Sequence, residues 1–499
     1  MERSSGILLP VASLPSKYGI GCFDESAYHF VDCLAKAGQS YWQILPMGPT
    51  GYGDSPYQAF STFAGNPYFI SLTELVKKGY ITEAECQKAA VGTDDKYIRY
   101  DVLYKQRYAV LRKAFTASGI ESNPEYNEFV QKNQDWLPDY ALFMAIKDSK
   151  GGKSYMEWEE DIRLRRSKAM VYYKNQLIDE VHFYQFLQFE FARQWQALKK
   201  YANEKGIFII GDIPIYVALD SADTWSHPEL FQFDDKGEPI GVAGCPPDAF
   251  SETGQLWGNP LYRWSAHKEN GYSWWLARLR NCCEWYDMVR IDHFRGFDEY
   301  YAIPYGDSTA ENGKWEPGPG VELFETLKRE LGEMPIIAED LGFLTDSVRQ
   351  LLQDCGFPGM KVLQFAFDSR EDSDYLPYRY VENSVVYTGT HDNATTYGWW
   401  GELTPEDKEV ALRYMNRSKR TPKKTLTWDM ICLAMASVSA LCIVPMQDYL
   451  CLPNKARINI PSTLGCNWQW RMSKKAWSDS LCEKIYAMTR LYGRLSTSE

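Results

Sequence analysis

The chain has 499 residues, of which 45% are hydrophobic, so a large buried core is available. Its formal net charge of −12 argues against a nucleic-acid backbone or an anionic membrane as the main partner. No apolar stretch approaches the roughly 20 residues that a membrane-spanning helix needs. The apolar stretch 7–10 is too short for a signal peptide. These features predict a cytoplasmic globular protein.

The side chains that bind metals and form disulfides show no motif. The twelve cysteines include no Cys-x-x-Cys pair, and the six histidines form no His-x-x-His or His-x-x-x-His pattern. No Gly-x-Gly-x-x-Gly motif follows a predicted strand, and a Walker loop is absent. We therefore expect reduced thiols, no metal ion and no cofactor. The sequence does not predict the oligomeric state.

Eight short apolar segments are predicted to be β-strands, and several are followed by helical patterns. In chain order they are 6–9, 41–45, 207–212, 288–292, 336–339, 361–367, 385–388 and 440–445. Strands that alternate with helices indicate a parallel sheet, and eight of them favour a closed (β/α)8 TIM barrel over an open doubly wound sheet. We expect one barrel domain over residues 1–499.

Three helix boundaries are also marked. Asp24 or Ser26 is expected to cap a helix that ends before Gly38, and Thr345 is expected to begin a helix that Gly356 stops. Thr404, followed by proline and two acidic residues, marks a third helix start.

The spacing of the strands predicts two large insertions at the barrel rim. About 165 residues separate the second strand from the third, and about 80 separate the third from the fourth, whereas a plain barrel repeat takes about 30. The first insertion, approximately 72–195, is predicted to be mostly helical. The stripe Phe183, Phe186, Phe189 and Trp195 near its end is interpreted as helix core. The second, approximately 220–280, is rich in Gly, Pro and Trp and predicts loops that wall a cleft.

Three of the apolar segments lead to acidic residues, which are Asp292, Glu339 with Asp340, and Asp392, at the end of the stretch 385–392. In (β/α)8 barrels the active site lies at the carboxyl ends of the strands. Paired carboxylates at that position are what cleavage of a glycosidic bond requires. The alternative is that each acidic residue only caps the helix that follows it.

The neighbours of these carboxylates suggest different roles. Arg290 and Asp292 lie two residues apart and share a face of their strand, so the guanidinium is expected to keep the carboxylate ionised, as a nucleophile requires. Glu339 follows three apolar residues, and a dry site would suit it to proton transfer. Asp340 is better suited to a structural pairing. Asp392, next to His391, is expected to bind sugar hydroxyls and help to distort the ring.

Two segments are predicted to be sugar-binding loops. Residues 52–58 include Tyr52, Ser55 and Tyr57, which offer aromatic faces and hydroxyl groups. Residues 254–260 include Gln255 and Trp257, which offer an amide and an aromatic platform. Turns also use the Gly, Asn and Pro residues of these segments, so each pattern is weak by itself.

Together these motifs resemble the signature of amylomaltases, the 4-α-glucanotransferases of glycoside hydrolase family 77, also called disproportionating enzymes. The matching stretches run from about residue 4 to 471. They are SSGILL at 4–9, GYGDSPYQ at 51–58, GDIPIYV at 211–217, GQLWGNPLY at 254–262, VRIDHFRG at 289–296, IAEDLG at 337–342 and YTGTHDN at 387–393.

The resemblance implies a barrel of the α-amylase-related type that transfers α-1,4-glucan segments with retention. It places the nucleophile at Asp292, the acid/base at Glu339 and the transition-state stabiliser at Asp392. The implied sugar contacts are Tyr57, Asp212, Arg290 and His391 at the donor site and Ser55, Asp248, Gln255, Trp257 and Asn467 along the glucan path, with a second groove at Tyr52. Maltooligosaccharides and α-1,4-glucans are the expected partners.

Three other readings remain at this point. A hydrolase could use the same carboxylates, because only the acceptor differs. A glucan-binding protein without catalytic activity would not need all three carboxylates. A sugar-phosphate barrel enzyme would be expected to carry a Schiff-base lysine or a metal cluster at a strand end, and neither is present in the sequence.

Overall fold

The computed structural model describes residues 1–51, 53–247, 251–342, 344–370 and 372–496. Its strands are β1 Ser4–Leu8, β2 Tyr41–Gln43, β3 Phe208–Pro214, β4 Gly241–Cys245, β5 Gln255–Pro260, β6 Met288–Asp292, β7 Glu299–Pro304, β8 Lys314–Pro317, β9 Ile336–Ala338, β10 Gly359–Val362, β11 Ser384–Tyr387 and β12 Leu441–Pro445.

The α-helices of the described residues surround and extend these strands. They are α1 Glu25–Lys36, α2 Leu72–Lys77, α3 Glu83–Ala89, α4 Tyr100–Ser118, α5 Pro124–Lys132, α6 Leu137–Ser149, α7 Glu160–Arg163, α8 Ser167–Gln176, α9 Ile178–Glu204, α10 Ala222–Ser226, α11 Trp264–Glu269, α12 Ser273–Trp285, α13 Val321–Leu331, α14 Asp346–Cys355, α15 Thr396–Trp399, α16 Pro405–Tyr414, α17 Lys423–Ala436, α18 Met446–Tyr449 and α19 Asp479–Leu491. None of the described helices is both long and apolar enough to span a membrane.

A parallel sheet forms the centre of the molecule, with eight strands in the described ranges in the order β10-β11-β12-β1-β2-β3-β6-β9. Its two outer strands meet at a seam. There the Ala338 N–H donates to the Pro358 carbonyl over 3.0 Å, and the Met360 N–H donates to the Asp340 carboxylate over 2.6 Å. The sheet therefore curls into a (β/α)8 barrel, and the predicted fold class is confirmed. Asp340 has the structural role that its sequence context suggested.

Buried apolar side chains fill the barrel interior. They include Leu8, Ile210, Met288, Ile337, Val385 and Ile443, which come from six different strands. The eight predicted strands are all present. The largest difference in length is at β10, which ends at Val362, because residues 363–365 form a helical turn. In that turn Gln364 donates to the Ala394 carbonyl over 2.9 Å, so the chain bonds to a neighbouring loop instead of continuing the sheet.

The helix boundaries follow the predicted caps. Asp24, Thr345 and Thr404 each accept a hydrogen bond from a backbone N–H in the first turn of α1, α14 and α16. Gly38 and Gly356 follow the ends of α1 and α14 with φ of 67° and 70°. The aromatic stripe on α9 is buried, which confirms its interpretation as core: Phe183, Phe186, Phe189 and Trp195 are at most 5% exposed.

A second, antiparallel sheet lies outside the barrel, with four strands in the described chain in the order β5-β4-β7-β8. This corrects the prediction that residues 254–260 are a loop, because Gln255–Pro260 is strand β5. The register shifts between Val242 and Gly244, and a Cβ at Gly244 would lie 2.1 Å from the Gln255 carbonyl oxygen. A bulge and glycines at such close approaches remove the apolar–polar alternation by which a strand is recognised in a sequence.

The two ends of the described chain meet at the barrel. Strand β1 pairs with β2 on one side and with β12 on the other. The buried Arg494 guanidinium ties this region together by donating to backbone carbonyls, which belong to Ser4, Met435, Ser437, Ser439 and Ala440.

Candidate active site

Three neighbouring strands bring four predicted site residues together at their carboxyl ends. In β3 and β6, Asp212 pairs with Arg290 in register, and β6 in turn pairs with β9, which Glu339 follows directly. One Arg290 nitrogen donates to both Asp212 oxygens over 2.8 Å, and the other donates to Asp292 Oδ1 over 2.9 Å. We call Asp212, Arg290, Asp292 and Glu339 the strand wall.

The charges of the strand wall differ in their exposure to water. Asp212 is fully buried and Arg290 is 3% exposed, whereas the Asp292 side chain is 31% exposed. Burial raises the pKa of Asp212, and the Arg290 guanidinium opposes that rise. Burial also disfavours the charge of Arg290, but Asp212 and Asp292 outweigh it and raise its pKa. Arg290 therefore stays a cation, and it fixes Asp292 with one carboxylate edge free to face a ligand.

Glu339 is held by backbone amides. The His293 N–H donates to Oε2 over 2.7 Å, and the Leu341 N–H donates to Oε1 over 2.9 Å. Burial, and then the negative charge of Asp292, raises the pKa of Glu339 from 4.5 to about 7, although Arg290 and the two amides favour the ionised form. A carboxyl group with a pKa near neutrality can give up a proton and take it back, as an acid/base must.

The opposite side of the site, which we call the loop wall, consists of Tyr57, His391, Asp392 and Trp468. The Tyr57 ring stacks on His391 with centroids 5.3 Å apart at 15°, and its hydroxyl donates to Asp212 Oδ2 over 2.8 Å. His391 Nε2 lies 3.3 Å from Asp392 Oδ2. The Trp468 ring contacts both Tyr57 and His391. The two walls thus touch through Tyr57 and Asp212.

The two walls together offer a carboxylate that is bonded to a cation, a carboxyl group that can be protonated at neutral pH, and a third carboxylate. Such a set can open and reform a glycosidic bond. In the described residues, no group of three or more His, Cys, Asp and Glu side chains is arranged to hold a metal ion.

Comparison with known proteins agrees with this chemistry. A family model described as 4-alpha-glucanotransferase matches residues 9–476. The chain belongs to the 4-alpha-glucanotransferase family. It is 47% identical over 487 residues to the 4-alpha-glucanotransferase of Clostridium butyricum, covering 97% of this chain and 99% of that protein. It is 44% identical over 503 residues to that of Thermus thermophilus, covering 99% of this chain and 100% of that protein.

A solved structure of the family has the same fold. The amylomaltase from Streptococcus agalactiae, in complex with acarbose, superposes with a TM-score of 0.96 at 42% identity and covers 99% of this chain and 100% of that protein. The amylomaltase from Corynebacterium glutamicum, at 20% identity, has a TM-score of 0.79 over 99% of this chain and 75% of that protein, which shows a shared fold.

Three other predicted sugar contacts, Ser55, Gln255 and Trp257, bond to neighbours within their own segments. Ser55 Oγ accepts from the Tyr57 N–H over 3.3 Å and so supports the loop that presents Tyr57. Gln255 accepts from the Trp257 indole over 3.1 Å, and the Trp257 ring meets the His293 ring edge-on, with centroids 4.8 Å apart. Trp257 therefore borders the strand wall through His293.

The predicted glucan contact Asn467 bonds within its own loop instead of to the carboxylates. The Asn467 side chain accepts from the Ile460 N–H over 2.9 Å and donates to the Thr463 carbonyl over 2.9 Å. Its polar atoms thus stabilise the loop that precedes Trp468. Tyr52 and Asp248 lie outside the described residues, so their contribution stays a prediction.

Sequence reasoning missed three residues that donate hydrogen bonds to the carboxylates, which are His293, Leu341 and Asn459. His293 adopts a left-handed conformation with φ of 53°, which turns its N–H towards Glu339. Burial lowers the pKa of its ring to about 4, so the ring is neutral. Asn459 donates to Asp392 Oδ1 over 2.6 Å. The matched stretch 289–296 already contained His293, but nothing in the sequence linked Asn459 to Asp392.

Proposed function

We propose that the chain transfers a segment of an α-1,4-glucan to the 4-hydroxyl of glucose or of another α-1,4-glucan, with retention at the anomeric carbon. The Glu339 carboxyl group carries the acid/base part of this proposal, and membership of the 4-alpha-glucanotransferase family carries the choice of a sugar as acceptor. The Glu339 pKa of about 7, next to Asp292 and Arg290, suits this group to donate a proton in one step and accept one in the next. Membership of the family supports the same reaction.

In the first step we assign the attack to Asp292. Its side chain is 31% exposed, and the Arg290 guanidinium donates to Oδ1, which leaves Oδ2 for the attack. A bond forms between an Asp292 oxygen and the anomeric carbon while the bond to the leaving glucan oxygen breaks. Glu339 gives its proton to that oxygen, so the shortened glucan departs with a free 4-hydroxyl. General acid catalysis of this kind contributes roughly 10²–10⁴-fold to the rate.

In the second step the acceptor glucan replaces the departed one. Glu339, now ionised, takes the proton of the incoming 4-hydroxyl, whose oxygen bonds to the anomeric carbon as the bond to Asp292 breaks. Two inversions at one carbon restore the α-configuration. The two backbone amides on Glu339 suit both steps, because they hold the group in place while its charge changes.

The remaining polar groups are assigned to the donor sugar. Asp392 and His391, with Tyr57 stacked on the histidine, would bind sugar hydroxyls and stabilise the distorted ring. Trp257 would supply an aromatic platform on the acceptor side, next to Gln255. The catalytic unit is proposed to be the whole barrel with its insertions, residues 1–499, acting on maltooligosaccharides and longer α-1,4-glucans.

The test is the product profile from maltotriose. Transfer predicts glucose together with a ladder of maltooligosaccharides longer than the substrate, which chromatography separates by size. A hydrolase with the same carboxylates would give only shorter products, and that outcome would defeat the proposal. A reaction started with radiolabelled glucose sharpens the result, because only transfer to a sugar acceptor places the label in longer chains.

A further inference from the structure

The contacts that hold Asp392 come from a distant part of the chain. Asn459 Nδ2 donates to Asp392 Oδ1 over 2.6 Å, and the Asn459 N–H donates to the His391 carbonyl over 3.1 Å. Arg457 donates to the Asp392 carbonyl over 2.5 Å and to the Asn459 carbonyl over 2.6 Å. One short segment therefore fixes both the backbone and the side chain of the Asp392 region.

We propose that Asn459 is a positioning residue that sets the orientation of the Asp392 carboxylate for glucan transfer. The inference rests on the proposed function, in which Asp392 stabilises the distorted sugar. With Oδ1 bonded to Asn459, the other oxygen, Oδ2, is directed to the side of His391 Nε2. An amide donor also favours the ionised carboxylate, and it does not itself titrate near neutral pH.

Asn459 belongs to a loop that is closed at its base. The Trp468 N–H donates to the Ile458 carbonyl over 2.7 Å, and Asn467 bonds to Ile460 and Thr463 inside the loop. Residues 458–468 are thereby held as one unit. This unit presents Trp468 to Tyr57 and His391 at one end and Asn459 to Asp392 at the other. A displacement of the loop would therefore reorient Asp392.

The tip of this loop lies close to Gly53, in the segment that leads to Tyr57. Leu464 is 74% exposed, and a Cβ built on Gly53 would lie 3.5 Å from its side chain. The loop therefore approaches Gly53 through Leu464 and contacts Asp392 through Asn459.

The experiment compares Asn459→Ala and Asn459→Asp with the wild type, using maltotriose as substrate. Asn383→Ala is the matched control, because the exposed Asn383 donates to the Gly356 carbonyl away from the site. For Asn459→Ala we expect kcat to fall about 10- to 100-fold while KM changes less than about threefold. A kcat within twofold of the wild type would overturn the inference, as would an equal loss in the control.

The second variant, Asn459→Asp, tests the pH dependence of kcat, which would not change if Asn459 only stabilised the fold. Two carboxyl groups this close cannot both ionise easily, so the second pKa of the pair is raised. Below that pKa the new carboxyl group keeps a proton and donates to Asp392 as the amide does. Above it the two groups repel each other. We expect the ratio of wild-type to variant kcat to grow about tenfold or more between pH 5 and pH 7.

The Asn459→Ala variant serves as the control for other ionisable groups near Asp392. They are His391, which lies against the carboxylate, Arg457, which bonds its carbonyl, and Tyr57, which stacks on the histidine. These groups are also present in Asn459→Ala. The ratio of wild-type kcat to the kcat of Asn459→Ala should therefore not vary with pH. A constant ratio for Asn459→Asp would overturn the inference. If the wild type only shortened maltotriose, the proposed function would fall instead.

Discussion

The strand wall and the loop wall of the site are built in different ways. In the strand wall, Asp212, Arg290 and Asp292 contact each other because β3 and β6 are neighbours in register. In the loop wall, Asp392 is held by Asn459, which is 67 positions away and belongs to no strand. In the strand wall the Asp212–Arg290 pair is buried, whereas the Asp392 side chain is 42% exposed.

The difference separates two requirements of the proposed chemistry. The nucleophile and the acid/base must keep their geometry through a change of charge, and sheet register and backbone amides provide that rigidity. The loop wall must accept a sugar chain and release it. We therefore expect changes in the strand wall to reduce both stability and turnover, and changes in the loop wall to act mainly on turnover.

The largest effect is expected at the nucleophile of the strand wall. Asp292→Asn should lower kcat by a factor on the order of 10⁴, because an amide cannot form the covalent intermediate. Asp298→Asn, in the loop that follows β6, is the matched control and should retain its activity. Initial rates of glucose release from maltotriose give the measurement. A tenth of the wild-type rate in Asp292→Asn would exclude Asp292 as the nucleophile.

The next effect tests whether the strand wall depends on its buried cation. Arg290→Met leaves Asp212 buried without a counter-ion, so the free energy of unfolding should fall by about 3–5 kcal/mol. We also expect kcat/KM to fall about 10²- to 10³-fold. Denaturant titration measures the free energy of unfolding, and maltotriose kinetics measure kcat/KM.

A double variant separates the stability of the strand wall from its catalysis. Arg290→Met with Asp212→Leu removes both buried charges, so stability should recover towards the wild type while activity stays low. Recovery of activity along with stability would mean that Arg290 has no direct part in the reaction.

A smaller and reversible effect is expected from pH. Because the pKa of Glu339 is raised to about 7, kcat/KM should fall about tenfold per pH unit above that value as the acid loses its proton. The same shift affects stability. Relative to Glu339→Gln, the contribution of Glu339 is complete below about pH 4.5 and is lost as the pH rises through about 7. Kinetics and thermal unfolding between pH 4 and 9 measure both, and an activity that stays level up to pH 9 would contradict the assignment.

The smallest effect on activity is expected at the barrel seam. Asp340→Ala leaves the buried Met360 N–H without an acceptor, so the free energy of unfolding should fall by about 1–3 kcal/mol. We expect kcat to stay within about threefold, because backbone amides still hold Glu339. A tenfold loss of kcat would instead show that the seam contributes to catalysis.

Gly359 offers an internal check on this seam. A Cβ there would lie 2.4 Å from Asp340 Oδ2, so Gly359→Ala should destabilise the wild type. In the Asp340→Ala background the same change should cost less, because the clashing carboxylate is gone. Equal costs in the two backgrounds would contradict the contact.

The strand wall could be predicted from the sequence, and the loop wall only in part. Apolar segments ending on Asp292 and Glu339 gave the strands and their active ends, because strand periodicity is local. Asp392, with His391 beside it, was found in the same way, but Asn459 could not be, because its contact depends on how a loop folds over the barrel. Strand β5 was hidden for another reason, because its Gly258 and Pro260 look like parts of a turn.

The pairing of β1 has a consequence for how the protein is made. Ribosomes synthesise a chain from its amino end, so β1 is made before the other strands of the barrel. One of its partners, β12, is synthesised more than 430 residues later, and Arg494 later still. Until then one edge of β1 remains unpaired and open to aggregation. Barrel closure therefore has to wait until β12 has been synthesised.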